Sequence, residues 1–171
     1  MLKFVIMIRK FIQSIFRRYY KLKVILKCRK WEEPLQVNEN SIVSKNTYLG
    51  KNVNLNGMRI AGHGMVKIGD NFHSGPECLL ITDTHNYKGS KIPYDETYIS
   101  KDIIIQNNVW LGSRVIVLGG VTIGDGAIIQ AGSVVVKDIP SCAIAGGNPA
   151  CAFKYRDREH YLKLVTEKKY H

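Results

Sequence analysis

Among the side chains of this 171-residue chain, five histidines and four cysteines are the first candidates for chemistry. Cys28, Cys78, Cys142 and Cys151 show no CxxC and no metal-ligand spacing. They read as free thiols of a reducing compartment, packing as small apolar residues. An imidazole is the side chain that exchanges a proton near neutral pH without help. It suits removal of a proton from a hydroxyl that is attacking a carbonyl. His160 and His171 lie in a charged tail and read as inert. His63 and His73 lie in or near repeating segments and read as structural or substrate-lining. His85 stands in Asp83-Thr84-His85-Asn86-Tyr87, inside a stretch, residues 81–102, that breaks the repeat around it.

That repeat has a period of six. Val37, Val43, Leu49 and Leu55 recur at this interval, with Ser41, Thr47 and Val53 four places after the first three. After a shift near Ala61–Lys67 it resumes at Ile68. A second series is unbroken: Ile105, Leu111, Val117, Ile123, Ile129 and Val135, with Val109, Val115, Val121, Ala127, Ser133 and Ile139 each four places later. Gly112, Gly124, Asn107, Asn108, Asp125 and Gly126 occupy the corners. Six residues are too few for packed helical turns. They fit a short strand and a tight turn whose positive φ is supplied cheaply by Gly or Asn. One aliphatic and one small residue per unit then point inward and are buried by stacking on the next unit, as in a solenoid.

Residues 2–30 follow a different period. Phe4, Ile8, Phe11, Ile12, Ile15, Tyr19, Leu22 and Leu26 share one face of a helix. Residues 1–30 carry ten basic and no acidic side chains, while the rest of the chain carries fifteen basic and fourteen acidic. The net charge of +11 is therefore an N-terminal property and does not indicate a nucleic-acid binder. Charges interrupt every apolar run, so neither a membrane-spanning helix nor a signal peptide is expected. Two partners fit the apolar face: an anionic membrane surface, or the protein's own core or a partner subunit. Glu32-Glu33-Pro34 ends this pattern. The division expected is a basic helix over 1–33, a β-helix over 34–150 with a loop extruded at 86–102, and a C-terminal helical cap over 151–171.

The aliphatic-Gly-x-x-small-x unit resembles that of the hexapeptide-repeat transferases. The run Asn107–Pro149 resembles the acetyl-CoA-binding half of the branch containing galactoside, maltose, streptogramin and surface-polysaccharide O-acetyltransferases. The resemblance implies an all-β solenoid, a left-handed parallel β-helix, with an N-terminal amphipathic helix and a short C-terminal helix. It implies an acetyl-CoA-dependent O-acetyltransferase acting on a carbohydrate hydroxyl, with no metal and no acyl-enzyme. The nearest alternatives are an N-acetyltransferase of an amino-sugar nucleotide and an antibiotic O-acetyltransferase. The zinc hydrolyases of the same fold need an HxxxxH pair that this chain lacks.

By the same resemblance His85 is the catalytic base, oriented by Asp83 or a backbone carbonyl. Trp110 and Ser113 lie beside the thioester and pantetheine arm. Ala131, Val136 and Lys137 follow the arm, Asn148 and Pro149 approach the adenine, and Lys154 meets a phosphate. Cys151 stands where a basic residue is often found, with Arg156 as a substitute. The oxyanion donor is expected near Gly112–Ser113. A homotrimer is the implied assembly; the location expected is the cytoplasm, peripheral to the inner face of the membrane where the stripe of residues 2–30 meets lipid rather than protein.

Overall fold

The structure, a computed structural model, describes residues 2–171. The chain opens with α1 (Leu2–Lys27), followed by β1 (Leu35–Glu39), β2 (Thr47–Leu49), β3 (Val53–Asn56), β4 (Arg59–Ala61), β5 (Val66–Ile68), β6 (His73–Ser74) and β7 (Leu79–Ile81). A hairpin of β8 (Asp83–His85) and β9 (Tyr98–Ser100) precedes β10 (Ile103–Ile105), β11 (Trp110–Leu111), β12 (Ile116–Leu118), β13 (Thr122–Ile123), β14 (Ile128–Ile129) and β15 (Val134–Val135). The chain closes with β16 (Ala143–Gly147), β17 (Ala150–Tyr155) and α2 (Arg158–Thr166).

Successive strands turn onto three different faces, so that each face receives one strand per coil. Face one runs β2-β5-β10-β13, face two β4-β7-β12-β15, and face three β1-β3-β6-β11-β14-β16-β17. The pairing is parallel except between β16 and β17, and the column is the parallel β-helix expected from the period. Register explains the sequence directly. Leu49, Ile68, Ile105 and Ile123 stack as Cα partners on face one, and Leu80, Val117 and Val135 on face two. Every member of both six-residue series is buried, and so are their companions.

The corner between faces one and three needs a left-handed residue in each coil. Asn52, Asn71, Asn108, Gly126 and Cys142 supply it with φ of 53°, 56°, 59°, 69° and 60°. The asparagines also bond along the column, Asn52 Nδ2 to Asn71 Oδ1 at 3.1 Å and Asn71 Nδ2 to Asn108 Oδ1 at 2.9 Å. Asn108 Nδ2 donates to the Tyr161 hydroxyl at 2.8 Å, which donates to Asp125 at 2.6 Å. Burial first, then the Asp125 carboxylate, pushes that phenol well above its ordinary range.

These bonds fix where α2 lies. It was expected to cover the end of the column. It instead runs beside the asparagine corner, where Tyr161 sits against Gly126, and the β16–β17 hairpin extends face three past the last coil. The asparagine ladder offers hydrogen bonds that the column's end does not.

Glycine follows the inward aliphatic where coils approach closest. A Cβ on Gly112 would sit 2.5 Å from Ala131 N and 2.9 Å from its Cα. Backbone cannot yield as a side chain does, so Gly112→Ala is expected to cost about 1–3 kcal/mol. A thermal melt beside the wild type measures it; an unchanged midpoint would contradict this packing.

Candidate active site

The hairpin leaves the column after β7 and returns before β10, at the edge between faces two and one. Its base is closed by Lys101 N–H donating to Thr82 O at 2.8 Å. A Cβ on Gly119 would meet that same Thr82 oxygen at 2.8 Å, so this glycine lets the hairpin sit down on the coil beneath. Antiparallel register sets Asp83 opposite Ser100 and His85 opposite Tyr98. At the tip, Asp95 accepts from the backbone N–H groups of Ser90 and Thr97, both at 2.9 Å.

His85 is exposed and held by rings. Tyr94 stacks on it at 3.9 Å between centroids with 15° between planes, and Tyr98 lies at 4.6 Å and 35°. The two tyrosines fix the imidazole plane and leave its nitrogens at the edge of the stack. Among the described residues no hydrogen bond reaches the His85 ring, so Asp83 does not orient it. The Asp83 carboxylate is engaged elsewhere. It accepts from the His63 backbone N–H at 2.9 Å and from Ser100 Oγ at 2.8 Å, and it meets His63 Nδ1 at 2.5 Å. The His63 side chain is 73% exposed and Asp83 only 9%, and Tyr98 lies between the two histidines, 6.2 Å from His63. His63, read as structural or substrate-lining, thus stands at the rim of the site beside His85.

Burial alone would raise the Asp83 carboxyl, but the bonds from His63, Ser100 and Thr82 outweigh it and hold the group well below the usual carboxylate range. A carboxyl depressed in the folded state stabilises the fold above its unfolded pKa of about 4, and that stability is lost as pH falls toward the folded value. Asp83→Asn is therefore expected to lower the melting temperature at pH 7 and to differ less from the wild type as pH falls below about 4. A gap that widens on acidification would contradict this.

The other expected residues fall in three places. Val136 and Lys137 follow β15 at the corner where the hairpin also emerges, so they share an edge with His85. Ser113 and Ala131 stack at the next edge, between faces three and two, with Gly132 N–H donating to Ser113 O at 2.8 Å. Trp110 projects from face three, 52% exposed, and lines a cavity of about 440 Å³ with His73, Arg156, Tyr161 and the C-terminal tail. Asn148 and Pro149 form the turn of the β16–β17 hairpin, and Lys154 is exposed on β17. Arg156 donates to Gly126 O at 2.7 Å, so its Nε is committed to the fold. Burial, then His171, pushes the His73 imidazole down. One chain thus places His85 and Ser113 on different edges of the column.

A model of the bacterial transferase hexapeptide (six repeats) matches residues 102–137. A solved structure of galactoside acetyltransferase in complex with coenzyme A is 34% identical, with a TM-score of 0.67 over 77% of this chain and 67% of that one. The chain belongs to the hexapeptide-repeat transferase family. Galactoside O-acetyltransferase of Escherichia coli (strain K12) is 38% identical over 122 residues, which are 69% of this chain and 60% of that protein. A hexapeptide-repeat-containing acetyltransferase of Vibrio cholerae O1 biovar eltor, complexed with acetyl coenzyme A, is 26% identical with a TM-score of 0.61, over 80% of this chain and 75% of that one.

Within this hexapeptide-repeat protein, sequence reasoning missed Tyr94, Tyr98 and the His63–Asp83 pair. The alternation in Asp83-Thr84-His85 and Tyr98-Ile99-Ser100 carries a hairpin signal, and the hairpin would have placed Tyr98 against His85. Among the described residues no group of three His, Cys, Asp or Glu side chains is arranged to hold a metal ion.

Proposed function

We propose that this protein is an acetyl-CoA-dependent O-acetyltransferase that moves an acetyl group to a sugar hydroxyl of a cell-surface polysaccharide or its lipid-linked precursor. The observation that carries the reading is His85, packed against the rings of Tyr94 and Tyr98 on an exposed hairpin with no hydrogen bond to its ring among the described residues. The coenzyme A bound by the galactoside acetyltransferase structure and the name of the E. coli relative support it.

In this mechanism His85 removes the hydroxyl proton as the oxygen attacks the thioester carbonyl. The tetrahedral intermediate collapses, the C–S bond breaks, and the imidazolium returns its proton to the departing thiolate. The Gly112 N–H is committed to Ile129 O at 2.8 Å. The Ser113 N–H is the remaining donor of that pair for the oxyanion. Trp110, Ser113 and Ala131 flank the thioester and pantetheine, Val136 and Lys137 follow the arm, Asn148 and Pro149 meet the adenine, and Lys154 meets a phosphate.

In a homotrimer the His85 edge of one chain faces the Ser113–Ala131 edge of its neighbour, and the seam between them forms the site. Handling of a lipid-linked glycan places the enzyme in the cytoplasm, at the inner face of the membrane. Release of free CoA against a panel of oligosaccharides, with the product located by NMR, tests the reading. Acceptor-dependent release with a new O-acetyl ester is expected. Release only with amino sugars, or with none, would overturn it.

A further inference from the structure

The apolar stripe of α1 has no partner in the fold. Among the described residues of this helix only Val24 is buried, and Tyr20 and Ile25, with Cys28 just beyond the helix, join it against the column. At 3.6 residues per turn, the eight stripe residues from Phe4 to Leu26 fall within an arc of about 100°, on the side of the helix opposite Val24. Each is 41–77% exposed, including Leu22 and Leu26, which flank Val24 in sequence. The helix is thus seated on the protein by one face and presents a continuous apolar face outward.

The cations are arranged around that face. Arg9, Lys23 and Lys27 border one margin and Arg18 the other, while Lys3, Lys10, Arg17 and Lys21 lie nearer the side that carries Val24. Among the described residues, the only acidic partner of an α1 cation is Glu33, 2.6 Å from Lys21. Among the described residues no helix is long and apolar enough to cross a membrane. A second copy of the chain would cover the apolar face but would bring like charges together with no acid between them. An anionic bilayer accepts both parts: acyl chains take the stripe and headgroups take the cations on its margins.

We propose that α1 is an in-plane membrane helix that docks the protein, stripe downward, on bilayers containing anionic phospholipid. This rests on the functional reading only for the choice of the inner leaflet; the docking surface stands on the helix itself. The test is flotation of the full chain with vesicles of phosphatidylcholine alone or with about one third phosphatidylglycerol. The wild type is expected to float with the anionic vesicles, to remain below with the neutral ones, and to be released by salt. Phe11→Glu with Ile15→Glu alters only exposed positions and is expected to cut the bound fraction at least about tenfold with an unchanged thermal melt. Arg9→Glu with Arg18→Glu keeps the stripe, reverses one cation on each margin, and is expected to do the same.

Equal flotation with both lipids, no flotation, or undiminished binding by both double variants would overturn the proposal. So would a fall in assembled mass in the stripe variant of a protein that does not float, because the stripe would then be a contact between copies. Flotation is read without turnover. A silent CoA-release assay therefore leaves the docking standing, and failed flotation leaves the acetyl-transfer reading standing.

Discussion

His85→Ala is expected to lower the acetyl-transfer rate by about two to four orders of magnitude, the range for loss of a positioned general base. The loss is expected on kcat, with KM for acetyl-CoA little changed, because in the proposed mechanism the imidazole acts on the proton of the acceptor. Folding is expected to survive: the ring is exposed and contributes stacking to Tyr94 and Tyr98 rather than to the core. A variant with wild-type rate would move the base elsewhere, and His63 with Asp83 behind it is the imidazole that remains at the rim.

Phe72→Ala is expected to destabilise the column by about 3–5 kcal/mol. Phe72 is fully buried and is among the largest side chains of the core. It fills the position four places after Ile68 where other coils carry a small or β-branched residue. Stacked coils are held by continuous main-chain ladders on three faces, so the walls cannot collapse into the space that the ring leaves. For a chain of this length the melting temperature is expected to fall by roughly 10 °C, read by circular dichroism at fixed protein concentration. A loss below about 1 kcal/mol would mean that the coils slide to refill the void.

The column was legible in the sequence because every coil repeats the same demand. An inward aliphatic, a small companion four places later and a corner of positive φ recur at fixed spacing, and Leu111, Ser133 and Asn108 each sit where that spacing puts them. What departs from the period was less legible. The hairpin carrying His85 was recognised as an interruption, but Tyr94 and Tyr98 reach the imidazole only through the hairpin's antiparallel fold. His63 and Asp83 are twenty residues apart and meet because one turn of the column separates them. The C-terminal helix was expected from its composition, while its seat beside the column depends on Tyr161 finding Asn108 and Asp125. The apolar stripe of α1 was read correctly as a stripe, and only the burial of Val24 shows which way it faces.

The central claim is that the site forms in the seam between chains, with His85 on one side and the Ser113–Ala131 edge on the other. Subunit complementation tests it. His85→Ala removes the base, and Ala131→Trp places a bulky side chain on an exposed corner of the opposite edge; each variant alone is expected to be inactive. Randomly mixed trimers from equal amounts of the two are expected to recover about a quarter of wild-type activity, because each hybrid trimer regains one intact seam out of three. Mixed trimers as inactive as their parents would place the whole site within one chain and contradict the account.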